Sequence, residues 1–597
     1  MKHTALYLVA ALAFPTMSWA QDISFEITDG SDILKAAIRD ASLVAALVPE
    51  DAPAPQDYIA AARADYRRLL TTLYSRGYYG GTISISVNGL EAADIAPLDA
   101  PSAISTVNYV VNPGPRFTFG ALSVAPLPTG TTLPETFRTG EFARSDVISE
   151  AVTTGVEAWH NTGYAKATAG AQKITAKHND AVLDVAVNID TGPQLTFGEL
   201  TISGNSAVRA TRIAKIAGLP TGAIYNPQDL LDAERRLRET GAFDSVSAVE
   251  ADQIGPNNTL PIELQPVDSK PRRIGYGIEL SSIEGLKVSS YWLHRNFLGG
   301  AERFRVEGEI SGIGGATGGT DYLLGASLDW PAVYGPDTNL FSRAEISRFD
   351  EPNYLIDKVS LEFGLKRPIR DDIDGFAGVG ILAAREVTSL GNKTYTLLTL
   401  PLGATMERRD NPTDAKNGYY INLDATPFVN VATGDLGSRV FADARVYKTF
   451  GETGRLTLAA RSQIGTVMGS VITDTPADFL FYSGGGGTVR GQTYDSLGIT
   501  STVDGVTTTT GGLSFIGAQI EARVAVTDKI GVVGFYDFGQ IGADAGFAGA
   551  NEWHAGAGIG MRYNTGIGPI RLDIGTPASG DNIAQEVQVY IGIGQSF

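Results

Sequence analysis

The sequence predicts two architectures in tandem: α+β repeats, then an all-β region closing into a 16-stranded transmembrane antiparallel β-barrel. Three observations point there. The stretch Asn112-Pro113-Gly114-Pro115-Arg116-Phe117-Thr118-Phe119-Gly120 recurs 78 residues later as Asp190-Thr191-Gly192-Pro193-Gln194-Leu195-Thr196-Phe197-Gly198. From Arg273 onward, apolar and polar residues alternate in short runs broken by Gly-, Asp- and Asn-rich turns. And although 43% of the 597 residues are hydrophobic, no apolar run beyond the first twenty residues approaches the ~20 residues of a membrane helix. A spanning barrel escapes hydropathy in this way, because only alternate residues face lipid.

The chain opens on Lys2 and His3, an apolar run from Ala5 to Pro15, and Ser18-Trp19-Ala20 before Gln21. A basic start, a short apolar segment and a small-x-small site predict a secretory signal peptide over residues 1–20, cleaved after Ala20. Cleavage takes the net charge from −19 to −20. Such an acidic chain lacks the basic face that nucleic acid requires. With no cysteine, it has neither a disulfide framework nor a thiolate metal site.

Within the repeat region each junction follows an alternating strand: Val107/Tyr109/Val111, Leu183/Val185/Val187/Ile189 and Leu260/Ile262/Leu264. A helix precedes each and stops at a glycine. The first ends at Gly77, before the strand Thr82–Val87. The second carries Ser145, Ile148, Val152, Val156 and Trp159 and ends at Gly163. The third starts from the cap Asn226 and Pro227, aligns Leu230, Ala233 and Leu237 on one face, and ends at Gly241.

In the barrel region the period is clearest near the end. Val587, Val589, Ile591, Ile593 and Phe597 fall on one face, opposite Gln588, Tyr590, Gly592, Gly594 and Ser596. Before them, Ile570, Leu572 and Ile574 point outward, with Arg571 and Asp573 inward. Charge at mid-bilayer costs ~2–4 kcal/mol, so charges belong to the lumen face. About 325 residues at roughly 20 per strand and connection gives about 16 strands, the even number a single-chain barrel requires.

Arg490 stands out among the charged residues. It lies in Tyr482-Ser483-Gly484-Gly485-Gly486-Gly487-Thr488-Val489-Arg490-Gly491, a Gly-rich loop between strands. Glu521 and Asp537 occupy the next two strands, on the face opposite their apolar residues. Guanidinium, a fixed planar fork, is suited to holding such carboxylates. An ordinary lumen salt-bridge network is the competing reading. Enzymatic readings fail: there is no HExxH, DxH pair or nucleophile elbow, Gly484–Gly487 lacks the Lys-Ser/Thr of a phosphate loop, and His160, His178, His294 and His554 read as surface or interface residues.

A Val489-Arg490-Gly491 loop with two inward carboxylates resembles the lid loop of the outer-membrane assembly superfamily, the BamA/TamA group. So do Arg295-Asn296-Phe297-Leu298-Gly299-Gly300-Ala301-Glu302-Arg303, Arg409-Asp410-Asn411-Pro412-Thr413-Asp414 with Gly418-Tyr419, and Gly566-Ile567-Gly568-Pro569-Ile570-Arg571-Leu572-Asp573. Gln492 departs from the family, which usually has an aromatic there; Tyr494 follows two residues on. The resemblance implies three POTRA domains (β-α-α-β-β) at 21–116, 117–193 and 194–270, and a barrel at 271–597 with a lid loop near 482–512. Three repeats are most similar to the TamA branch. That branch implies a non-enzymatic insertase, without cofactor or metal, in the Gram-negative outer membrane with its POTRA domains in the periplasm. Its partners would be unfolded outer-membrane clients such as autotransporters, the lipid bilayer and a TamB-like inner-membrane-anchored protein. The alternative is a two-partner-type secretion pore exporting a passenger protein. The resemblance further implies that Arg490 locks the lid against Glu521 and Asp537 and that Phe597 is a barrel-recognition signal. The lateral seam, where the first and last strands meet, is expected at Gly277, Gly592 and Gly594, since glycine weakens a strand.

Overall fold

A computed structural model describes residues 22–597 except 29, 48–52, 97–98, 371, 390, 452–453, 504–505, 567 and 581–582. The signal peptide and its cleavage site at Ala20 lie outside the described residues. The chain divides into two compact units, one holding most of the residues up to Glu199 and the other holding the barrel together with residues 200–220 and 230–251.

In the first unit, residues 22–112 form a sheet in the order Asp22–Ile27, Thr106–Asn112, Thr82–Val87, Leu90–Glu91. Asp22–Ile27 runs parallel to Thr106–Asn112, and Thr82–Val87 antiparallel. Helices Asp32–Ala41, Leu43–Ala46 and Pro55–Ser75 cover it. Ser31 starts the first of these by accepting the Leu34 amide at 3.2 Å. Their apolar faces bury Leu34, Ile38, Ile59, Leu69 and Leu73 against Ile85, Val107 and Tyr109. At the helix junction Asp65 is fully buried. It accepts from Ser42 Oγ, the Leu43 amide and Tyr109 OH, each at 2.7 Å.

The second repeat places Val182–Asp190 between Thr118–Ala125, which is parallel to it, and Thr168–Lys177, which is antiparallel. Here the expected pair of helices is not found. Among the described residues the repeat has one α-helix, Ser145–His160. The stretch ahead of it carries Pro126, Pro128, Pro134, Gly130 and Gly140, and prolines without amide donors together with flexible glycines do not sustain a helix. The helix also sits rotated from the face read in the sequence. Val147, Ile148, Ala151 and Gly155 are buried, with Val152, Val156 and Trp159 at the margin.

The third repeat has strands Thr196–Ile202, Thr259–Asp268 and Phe243–Glu250, in that order, and helices Ala210–Ala217 and Pro227–Glu239. Leu230, Ala233 and Leu237 are buried. The helix-ending glycines Gly77, Gly163 and Gly241 all adopt positive φ (87°, 97° and 70°), which a side chain would strain. Within the second unit, helix Ala210–Ala217 is fastened to barrel turns. Arg209 Nη1 donates to the Leu298 carbonyl at 2.7 Å, Arg212 Nη2 to that of Pro331 at 2.5 Å, and Lys215 Nζ to that of Val333 at 3.1 Å. Arg236 grips Asp337 through Nε at 2.6 Å and Nη2 at 3.3 Å.

The barrel is closed and antiparallel. Two successive segments, Gly391–Thr399 and Leu402–Glu407, share the same neighbours, Ile373–Thr388 and Gly418–Asn430. They are halves of one stave, broken at Leu400-Pro401, where proline supplies no amide to the ladder. Counting them as one, the wall has 16 strands. Along Tyr354–Arg370, for example, Val359, Leu361, Phe363 and Leu365 are exposed to the lipid side, alternating with Lys358, Glu362 and Lys366.

The seam departs from the alternation read in the sequence. The last strand is Gln588–Ile593, and it pairs with Arg272–Ser281 only at Leu280↔Ile591 and Ser281↔Tyr590. The flanking ladders hold ten pairs (Arg272–Ser281 with Gly285–His294) and six (Gly568–Pro577 with Gln588–Ile593). Gly594, at φ 98°, turns the chain out of the sheet. Phe597, expected on the lipid face, is therefore buried inside beside Ala415, Tyr447 and Ala459. Gly277 and Gly594 lie beyond the paired stretch. Gly592 is in the last strand, and its missing side chain leaves room for Arg571, whose Nη2 crosses to Glu279 Oε1 on the first strand at 2.6 Å.

Candidate functional site

Between strands Leu456–Met468 and Ser514–Ala525, the loop packs residues 472–499 and Leu513 into the lumen. Apolar packing fixes this loop first. Leu480, Phe481, Ile499 and Leu513 bury against the inward wall residues Leu397, Phe428, Phe515 and Ile541. Barrel interiors are polar by default, so this lumenal core shows that the wall is patterned to receive the loop.

Below that core the loop backbone lies directly on the wall. A Cβ on Gly491 (φ 93°) would sit 2.5 Å from the Thr576 backbone nitrogen and oxygen, and one on Gly556 would overlap the Arg490 carbonyl. Side chains at either position would lift the loop. Val489 is fully buried.

Close approach delivers Arg490, 1% exposed, to three carboxylates that are fully buried. Its Nε and Nη2 hold Asp537 Oδ2 and Oδ1 at 2.8 and 2.9 Å, and its backbone amide adds a third bond to Oδ2 at 3.1 Å. Nη1 donates to Glu521 Oε1 at 2.6 Å and reaches Asp573 Oδ2 at 3.3 Å. The guanidinium carbon lies 3.7 Å from the Phe535 ring centroid, so the cation is also stacked. Two further arginines complete the set: Arg523 Nε pairs with Glu521 Oε2 at 2.8 Å, and Arg562 pairs with Asp573. Three side-chain cations face three side-chain acids, and among the described residues Asp537 has Arg490 alone as its countercharge.

The structure thus brings Arg490 together with Glu521 and Asp537, and makes Asp537 the main partner through its two-pronged contact. Sequence reasoning placed Asp573 inward but did not join it to the cluster, and missed Arg523, Arg562, Phe535 and Gly556. Inward alternation was the available signal, and every strand offers several residues that satisfy it. His554, read as a surface or interface residue, is buried where the lid meets the wall and hydrogen-bonded to Ser483 Oγ at 2.9 Å. Gln492, the departure at the loop tip, donates to the Ala555 carbonyl at 2.7 Å.

The outer part of the loop meets acids as well. The Gly486 amide donates to Glu284 Oε1 at 2.9 Å and Tyr494 OH to Glu351 Oε1 at 3.2 Å. Burial, reinforced by the charge of Glu284, pushes the Asp495 carboxyl up to about 7. Burial raises Glu284 as well. Among the described residues no group of three or more His, Asp or Glu is placed to hold a metal ion. Chemically, the arrangement can hold a loop in place.

A model of the Omp85 superfamily domain matches residues 296–597, just over half the chain, and a POTRA model, described as a surface antigen variable number repeat, matches 195–265. The outer membrane protein assembly factor BamA of Neorickettsia risticii (strain Illinois) is 22% identical over 423 residues, which is 66% of this chain and 54% of that protein. The chain therefore spans about half the length of this curated relative. Among solved structures, BamA from Haemophilus ducreyi lacking POTRA domains 1–3 superposes with a TM-score of 0.63 at 14% identity, covering 80% of this chain and 100% of that one. CdiB from Acinetobacter baumannii superposes with a TM-score of 0.51 at 11% identity, covering 80% and 90%. Both likenesses are of fold.

Proposed function

Because the chain belongs to the Omp85 superfamily, we propose that it is an outer-membrane assembly factor that helps fold, insert or translocate β-barrel proteins such as autotransporters. The barrel lies in the outer membrane, with POTRA structure on its periplasmic side. The observation that carries the reading is the seam. A wall held at one joint by two residue pairs and the Ser282–Val589 bonds beside them, flanked by ladders of ten and six, opens there first, because each ladder bond adds to the cost of parting. Opening exposes the edge of Arg272–Ser281, whose free amides and carbonyls would template a client strand.

In this reading Arg490 locks the lid to Glu521, Asp537 and Asp573, with Val489 and Gly491 shaping the contact, and the work is done without covalent chemistry. The repeats at 21–116, 117–193 and 194–270 act as three POTRA domains that receive extended segments along their sheet edges, the first docking a TamB-like partner. To test the seam, cysteines are placed at Leu280 and Ile591 of this cysteine-free chain and joined by a short bifunctional reagent in proteoliposomes. Client insertion should stop when the seam is closed and return when the linker is cleaved. Undiminished insertion through a fully cross-linked seam would sink the insertase reading. Passage of a soluble passenger through the same closed barrel would favour a secretion pore.

A further inference from the structure

Beyond Ile593 the chain neither continues the sheet nor runs free. The Gly594 amide donates to the Pro569 carbonyl at 2.7 Å, and the next three residues enter the lumen. Gln595 accepts from Arg562 Nε at 2.8 Å and donates to Asp414 at 2.9 Å. Ser596 Oγ donates to Glu521 Oε1. The Phe597 carbonyl accepts from Arg523 Nη2 at 3.2 Å, and its ring lies 5.4 Å from that guanidinium.

The partners of this segment belong to the cluster that holds Arg490. Glu521 Oε1, which takes Ser596, also takes Arg490 Nη1 at 2.6 Å. Arg523 neutralises Glu521, and Arg562 neutralises Asp573, which also contacts Arg490. Withdrawing Arg490 removes one of the two donors on Glu521 Oε1, the oxygen that takes Ser596, and leaves Asp537 of the same cluster without its countercharge. Withdrawing the tail removes one donor from Glu521 and loosens Arg523 and Arg562. On the seam side the last strand is held by two ladder pairs and the Ser282–Val589 bonds, and on the other side by six pairs; the lumenal anchor adds a third hold, on its end.

We propose that residues Gln595, Ser596 and Phe597 position the lock: they form a latch through which release of the lid and release of the seam strand favour one another. The inference rests on reading the Arg490 cluster as the lid's lock. Coupling of this kind is reciprocal, because each event alters the same shared groups.

The test uses the full chain in liposomes with a single reporter, Ser483→Cys, buried in the lid and labelled by a small water-soluble thiol reagent. Arg490→Ala should accelerate labelling. Removal of residues 595–597 should accelerate it by about tenfold, within the usual range of coupling between sites, and Ser596→Ala should do so by less. Heat-shifted mobility on gels checks that each barrel is folded, and Ser596→Ala serves if the deletion does not fold. Combining Arg490→Ala with the deletion should give less than the product of the two accelerations, since they break one shared network. If Arg490→Ala accelerates labelling while both tail variants stay within twofold of the parent, the tail merely fills space and the latch is refuted. If Arg490→Ala itself has no effect, the lock reading falls and the latch with it.

Discussion

Truncating Arg490 should harm the lid through one carboxylate in particular, and this can be tested by rescue. In Arg490→Ala, Glu521 keeps Arg523 and Asp573 keeps Arg562. Asp537 loses both prongs of the guanidinium and retains only the backbone amide of residue 490. Leaving a buried charge without its partner costs about 3–5 kcal/mol, which is the expected fall in lid-docking free energy. Neutralising the orphan in Arg490→Ala/Asp537→Asn should restore about 2 kcal/mol, since the neutral amide left behind still costs about 1–3 kcal/mol when unsatisfied against about 3–5 for the charge. The same change at Glu521 should restore little, because Arg523 would lose its own partner. Arg490→Lys should fall between, keeping the charge but neither the fork on Asp537 nor the stacking on Phe535. A urea titration of lid release, read by labelling of a buried lid cysteine, measures each variant. Equal rescue by Asp537→Asn and Glu521→Gln, or none from either, would refute this account of the cluster.

Glu279→Gln should weaken seam closure by only ~0.5 kcal/mol, since the Glu279 side chain is 47% exposed and its pair with Arg571 is screened. Gly592→Val should do more, because its Cβ would stand 3.1 Å from Arg571 Nε and push that side chain from its crossing; cross-linking rates between cysteines at 280 and 591 compare the two. The outer lid contact should respond to pH. The docked Asp495 carboxyl titrates at about 7, above its ordinary value near 4. Docking thus favours the protonated form, is strongest below pH ~4 and weakens as pH rises to about 7. Lid-cysteine labelling, normalised to an unfolded control, should speed up between about pH 4 and 7, and Asp495→Asn should reduce the change. In the first repeat, Asp65→Ala should cost about 3 kcal/mol by orphaning donors from Ser42, Leu43 and Tyr109, seen as lost amide-exchange protection in residues 32–46. Unchanged protection there would mean that the junction does not depend on the carboxylate.

What the chain disclosed in advance follows the range of the forces involved. Alternation is local, so the β-barrel class and the lumenal side of Glu521, Asp537 and Asp573 could be read from neighbours in sequence. The Val489-Arg490-Gly491 loop was legible because its glycines announce a close approach. Assembly of six charges from five separate segments was not, since alternation assigns a face and no partner. Near the end, a rule of period two carried Phe597 outward, but one glycine at positive φ cancels such a rule and sends the chain inward. In the second repeat, spacing by analogy with its neighbours suggested a helix where prolines forbid one.

The fastening of the third repeat to the barrel is chemically one-sided. Arg209, Arg212 and Lys215 reach the main-chain carbonyls of Leu298, Pro331 and Val333. A carbonyl is present whatever the residue, so the barrel's turns can drift in sequence without losing these bonds, while each cation is irreplaceable in length and charge. Variation across natural versions of this joint should therefore be lopsided, free on the turns and restricted on the helix. The exception is Asp337, whose carboxylate answers Arg236 directly and should change only in step with it.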